Sequence, residues 1–261
     1  MATLPFTRPA LGEEIDYPSG DSRPVGETPC HINNMVKLRD ALDRYYADNP
    51  TFFAAANMFV YYVPGERLKH VSPDVFVVFG VPRDKPRKKY LVWEEGGRTP
   101  DLVIELTSAS TRDEDVDDKM WLYRQMLSVR EYILFDPYAE YLDPPLQRYR
   151  LEHGEYLPIE PVAGRLPSQV LGGLQFERDE GDLRIYDPVT NAWLPTEEEL
   201  RLAAEDQARR VESERVHTEE ERQRERDARL RAEEENERLR QEIERLRRAS
   251  ANGGNGQGTT G

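Results

Sequence analysis

Hydrophobic positions along the chain change period several times, and each change marks an element. Met35, Leu38, Leu42 and Tyr45 recur at helical spacing and predict a helix over 31–47, closed by Asn49-Pro50. The period then gives way to nearly continuous apolar runs at 57–63 (NMFVYYV), 73–79 (PDVFVVF), 90–93, 101–107 (DLVIELT) and 132–135 (YILF). Runs this rich in β-branched and aromatic residues predict strands buried on both faces, as in a central mixed sheet with helices packed on it. Between the last two, 112–127 returns to helical period, with Val116, Met120, Tyr123 and Leu127 as its stripe, Ser110 or Thr111 as its cap and acidic residues in its first turn. Leu146 to Leu151, Tyr156 to Glu160 and Leu183 to Tyr186 predict a closing antiparallel meander that ends near Trp193-Leu194-Pro195. The expected fold class is α/β.

Four segments follow from this pattern. Residues 1–28, rich in Pro, Gly, Thr and Ser, predict an irregular lead-in; 29–195 form the folded body; 196–249 form a charged helix; 250–261 (SANGGNGQGTTG from Ser250) form a flexible Gly-rich end. The third segment has no Pro or Gly and is about 80 Å long at 1.5 Å per residue. Thr196 and Glu199 suit a capping box. Near its end Leu239, Ile243 and Leu246 step by four and three, a d-a-d register that puts Asn236 at a, Glu235 and Glu242 at g, and Arg240 and Arg247 at e. That is the pattern of a short parallel homodimer. Ala232, Arg229, Glu225 and Arg222 at the preceding core positions fit equally well a single helix laced with i, i+4 pairs.

Charge sharpens the picture. The 261 residues carry 36 basic and 50 acidic side chains, a net −14. Residues 196–249 hold 18 acidic and 14 basic of these, so the tail contributes −4 and the body −10. A body this acidic excludes gripping a polyanion through bulk charge, and any such partner must meet a local cationic feature. Arg83, Lys85, Arg87, Lys88 and Lys89 supply one, five basic residues in the seven of 83–89. Cys30 is the single cysteine, so no intrachain disulfide forms. No apolar run reaches membrane-spanning length, and the first sixteen residues lack the basic start and apolar stretch of a signal peptide, so the expectation is a cytoplasmic protein with no membrane partner.

Most standard sites are missing. The four histidines have no partner at zinc-ligand spacing, and the acidic run 113–118 (DEDVDD) fails as a calcium loop because its sixth position is Asp118 and its twelfth Arg124. What remains is carboxylates inside apolar strands. Asp74 opens one such strand and Glu105 sits between Ile104 and Leu106 of another. A buried carboxylate is costly unless paired or bound to a cation. Two of them on adjacent strands suffice to hold Mg²⁺ (or Mn²⁺) against a phosphate, and Lys119 is placed to aid the attacking water, the requirements of phosphodiester hydrolysis. Asp101 shares the strand of Glu105 but four residues span about 13 Å, too far for one metal. Its expected role is to cap the strand end. Trp93, Trp121 and Tyr123 are read as core.

Four blocks also carry a resemblance. Ser72-Pro73-Asp74-Val75, the run 99–108 (TPDLVIELTS), Lys119 with Tyr123, and Val129-Arg130-Glu131-Tyr132 ending in Asp136-Pro137 resemble the Uma family, a restriction-endonuclease-like group of the PD-(D/E)XK nuclease superfamily, over roughly 25–190. The resemblance implies a restriction-endonuclease-like core, Mg²⁺-dependent cleavage of DNA, Asp74 and Glu105 as metal ligands, Lys119 as the motif lysine and Glu27 as a candidate third ligand. The position two after Glu105 is Thr107, so the lysine has to arrive from the following helix. A dimerising tail would pair two such sites. The rival expectation is a catalytically idle relative acting as a coiled-coil interaction or regulatory module.

Overall fold

The computed structural model describes residues 17–18, 28–108 and 111–253. Helix α1 (Pro29–Tyr45) starts where Thr28 accepts the His31 N–H at 3.3 Å and Pro29 occupies the first turn. Strands β1 (Phe52–Ala56), β2 (Val60–Tyr61), β3 (His70–Val71), β4 (Val75–Phe79), β5 (Tyr90–Leu91) and β6 (Leu102–Leu106) follow. A turn of π-helix (Glu114–Lys119) runs directly into α2 (Met120–Gln125), and then come β7 (Glu131–Phe135), β8 (Leu146–Glu152), β9 (Glu155–Pro158), β10 (Leu166–Pro167), β11 (Gln175–Asp179), β12 (Asp182–Asp187) and β13 (Ala192–Trp193). Helix α3 (Glu197–Gly253) is continuous. The chain divides at Glu198 into two units, the body and the charged helix.

The body is a mixed α/β structure built on a six-stranded sheet of order β1-β4-β6-β7-β8-β9. Within this sheet only β6 and β7 run parallel, and their crossover is the segment that holds α2. The continuous apolar runs are explained by layers on both faces. Val75, Val77, Leu102, Ile104 and Ile133 pack with Met35, Leu38 and Leu42 of α1, and with Phe176, Leu183 and Ile185 of a second sheet, order β10-β11-β12-β13. Phe76, Val78, Val103, Tyr132 and Leu134 pack on the opposite face with Tyr123 and Leu127.

Four local expectations differ from the structure. The run 57–63 is a strand only at Val60–Tyr61, because Asn57 turns the chain with a φ of 48°. The strand lies before it instead, at Phe52–Ala56, where three alanines gave no β signal. The 112–127 helix is interrupted by the π-turn. The meander splits, β8 and β9 extending the main sheet while β12 joins the second one. Trp121 is exposed rather than core, whereas Trp93 packs beside Tyr17 and Tyr61.

Candidate active site

The β4–β6 register pairs Val75 with Ile104, which brings Asp74, the residue before β4, opposite Glu105 and onto the same face. Their contact is direct: the Asp74 N–H lies 3.4 Å from Glu105 Oε2. Asp74 Oδ2 accepts the Leu106 N–H at 2.7 Å, and Oδ1 lies 3.1 Å from His31 Nε2 at the start of α1. Glu105 is fully buried, and its charge is met by two donors from the π-turn and α2. Tyr123 donates its hydroxyl to Oε1 at 2.6 Å, and Lys119 Nζ donates to Oε2 at 3.0 Å.

Lys119 does not serve Glu105 alone. Its ammonium is also 2.8 Å from Asp115 Oδ1, a buried carboxylate one turn earlier. Tyr132 Oη donates to the Asp115 carbonyl at 2.9 Å and ties that turn to β7. π-turns recur where a side chain must be aimed at a site, and this one carries both Asp115 and Lys119. A cleft of about 320 Å³ lined by Phe59, His70, Ser72, Asp118, Lys119 and Leu122 opens beside the ammonium.

Three carboxylates therefore crowd one ammonium. Burial, joined by the Asp74 and Asp115 charges, pushes the Glu105 carboxyl well above the usual range despite the pull of Lys119 and Tyr123. Burial also raises Asp115 against the pull of Lys119. For Lys119, burial works against the charged form, but Glu105 and Asp115 more than offset it, so the group stays an ammonium. The Tyr123 hydroxyl is pushed far up, by burial first and then by Glu105, and remains a proton donor. The site is short of positive charge.

Other acids are spent on structure. Asp101 Oδ2 accepts the Phe79 N–H at 2.6 Å and Oδ1 meets Arg130 at 2.7 Å, which closes the strand end. Asp136 accepts backbone N–H groups of Tyr138 and Leu142 at 3.0 Å each. Glu131 is buried against Arg148 and also accepts from Gln169 N–H at 2.8 Å and Val170 N–H at 3.0 Å.

The basic loop expected to grip phosphates is tied to the body by most of its cations, which meet two carboxylates and a carbonyl of the chain. Arg83 meets Asp43 at 2.8 Å; Lys85 and Arg87 meet Glu95 at 2.7 and 2.8 Å, Arg87 also lying 4.4 Å over the Phe53 ring; Lys89 donates to the Tyr17 carbonyl. Burial opposes the charge on Glu95, but Arg87 and Lys85 bring its carboxyl below the usual range. Lys88 is exposed. Four of the five cations thus hold the loop to the body. Glu27 lies outside the described residues. His31 and Asp115 were not among the sequence candidates; His31 has no signal in a sequence that separates it from Asp74 by 43 positions, while Asp115 stands four residues before Lys119.

Residues 12–179 match the Uma2 family, described as "Putative restriction endonuclease". The chain belongs to the Uma2 family. The match starts before and ends short of the 25–190 span that carries the four blocks. Among solved structures, this Uma2 chain is similar to a crystal structure of "a putative nuclease belonging to DUF820" from Anabaena variabilis ATCC 29413, with 15% identity, a TM-score of 0.42, and 56% of this chain and 76% of that one covered. No curated protein matches. No helix among the described residues is long and apolar enough to cross a membrane.

Proposed function

We propose that this Uma2 chain hydrolyses DNA phosphodiester bonds with Mg²⁺ or Mn²⁺. The observation that carries the reading is the convergence of Asp74, just before β4, and Lys119, from the π-turn, on the buried carboxylate of Glu105 in β6. Among the described residues no three His, Cys, Asp or Glu side chains are grouped to hold an ion. Mg²⁺ does not require such a cage, since it is commonly held by one or two carboxylates, waters and the substrate's own phosphate. Asp74 and Glu105 carry hard oxygen donors on one face of adjacent chain segments, linked by the Asp74 N–H to Glu105 Oε2, and the excess negative charge around them is what a divalent cation relieves. When bound, the cation supplies charge stabilisation at the phosphate and an acidified water.

The protein's own groups have separable tasks. Asp74 is fixed by the Leu106 N–H, and Glu105 by the Tyr123 hydroxyl, so both ligands keep their orientation. Lys119 holds a water in line with the phosphorus or steadies the charge that builds on it. The water oxygen bonds to phosphorus and gives up a proton, one P–O ester bond breaks, and the leaving oxygen takes up a proton, so that one water is divided between the two products. Asp115 is a positioning residue that draws the ammonium from its other side.

The test is cleavage of plasmid and single-stranded DNA with Mg²⁺ or Mn²⁺, comparing the wild type with Glu105→Ala. Activity lost with the carboxylate supports the reading. Equal activity in both proteins identifies a contaminant, and none in either moves the assignment to a non-catalytic interaction module. Asp115→Asn keeps shape but removes one charge beside the ammonium, and cleavage is expected to fall about 10- to 100-fold with metal affinity little changed.

The raised Glu105 carboxyl sets a pH dependence. Folding favours its protonated form, so its contribution to stability is full below the ordinary carboxyl range and is lost as pH rises through the folded-state value. In metal-free buffer the melting temperature of the wild type is expected to decline over that window relative to Glu105→Gln, and Mg²⁺ to restore it. Parallel pH profiles for the two proteins, with and without Mg²⁺, would contradict this.

A further inference from the structure

The charged helix has a face whose chemistry specifies what covers it. Leu239, Ile243 and Leu246 are 54%, 50% and 60% exposed. Setting Leu239 and Leu246 at d puts Asn236 and Ile243 at a. Followed toward the N-terminus, the same register places Ala232, Val211 and Ala204 at d and Ala208 at a, with Arg215, Thr218, Arg222, Glu225 and Arg229 between them. The apolar seam thus has a strong end near the C-terminus and a weaker one near the start of α3.

The helix's own ion pairs leave several charges over, among them Glu234, Glu237, Arg238 and Arg245 away from the seam and four more beside it. Arg215–Glu212, Arg224–Glu220, Arg229–Glu233 and Arg248–Glu244 close within the helix at three- or four-residue spacing. Glu235, Arg240, Glu242 and Arg247 enter no ion pair among the described residues. These four flank the seam, glutamates at g and arginines at e. In a parallel, in-register pair each g residue faces the e residue five positions on, so Glu235 meets a second Arg240 and Glu242 a second Arg247, twice over by symmetry. An antiparallel pair sets glutamate on glutamate and arginine on arginine. Ile at a with Leu at d favours two strands, and a single Asn at a fixes register.

We propose that residues 235–247 form a parallel two-stranded coiled coil with a second copy of this chain. The inference is independent of the nuclease reading, because it rests on α3 alone. With only three large apolar layers the association is concentration-dependent.

Sedimentation equilibrium of the full chain over a wide concentration range tests it. The mass is expected to rise from the 30.3 kDa of one chain to that of two and no further. Arg240→Glu with Arg247→Glu, and separately Glu235→Arg with Glu242→Arg, are expected to weaken self-association by at least about tenfold. Mixing the two variants should restore a dimer, and this recovery separates charge repulsion from misfolding. Asn236→Cys in a Cys30→Ser background should cross-link under mild oxidation. A monomer at every concentration, a trimer, charge variants that associate like the wild type, or a mixture that stays monomeric would each overturn the proposal.

Discussion

Glu105→Gln is expected to lower Mg²⁺-dependent DNA cleavage by about a thousandfold or more, with the folded body intact. The change removes the charge that joins two of the three convergent groups while keeping the side chain's shape. One well-placed polar group at a reacting phosphate contributes about 10²–10³ in rate. Glu105 is asked for more than that, as a cation ligand and as the acceptor for Lys119 at 3.0 Å. Loss of the carboxylate also frees the ammonium to turn wholly to Asp115. Lys119→Met is expected to cost about 10²-fold while leaving Mg²⁺ affinity nearly unchanged, since it removes the helper and not a ligand. Steady-state cleavage against Mg²⁺ concentration separates the two. Glu105→Gln cleaving within tenfold of the wild type would remove Glu105 from the reaction.

The largest stability effect is expected away from that site. Arg148→Ala strands Glu131, a carboxylate buried on β7 whose remaining partners are Ser168 and the N–H groups of Gln169 and Val170. Breaking a buried pair by removing one partner costs about 3–5 kcal/mol. For a body of this size that is a fall of roughly 6–20 °C in melting temperature. Glu131→Leu combined with Arg148→Met, which removes both charges at similar volume, is expected to recover much of the loss. Tryptophan fluorescence follows this transition, because Trp93, Trp121 and Trp193 all belong to the body and α3 has none. A single variant that melts within a few degrees of the wild type would show that water reaches the stranded carboxylate.

The two sets of acids, Asp74 with Glu105 and Glu131 with Asp136, look alike in sequence. All four lie at or beside apolar strands, and all four fall within the blocks that resemble the Uma family. Their difference is one of partners. Glu131 and Asp136 are surrounded by backbone N–H groups and a guanidinium, so their charge is already compensated. Glu105 shares one ammonium with Asp115, and Asp74, held by the Leu106 N–H and beside His31, adds a further carboxylate next to them. Compensation is a property of the neighbours, and these come from segments far apart in the chain.

The basic loop and the second helix depend on distant neighbours in the same way. Five cations in seven residues read as a phosphate grip because the sequence shows their charge and not Asp43, Glu95 or Tyr17 around them. The 112–127 stripe reads as α-helix because hydrophobic period is insensitive to one widened turn. That turn nonetheless carries Lys119 and Asp115 beside Glu105.

Most of the apolar strands, their order with the helices, the α/β class and the charged C-terminal helix are legible in the residues alone, and so are Asp74, Glu105 and Lys119 as the three side chains that the fold brings together. Period, propensity and the scarcity of charge within buried runs are local properties, written in neighbouring residues. The folded chain alone reveals that Phe52–Ala56 is an edge strand of the main sheet, that β10 to β13 form a separate sheet packed with α1, and that His31 lies beside Asp74. Those results depend on strand register and layer packing, where contacts between residues tens of positions apart outweigh what any short segment prefers.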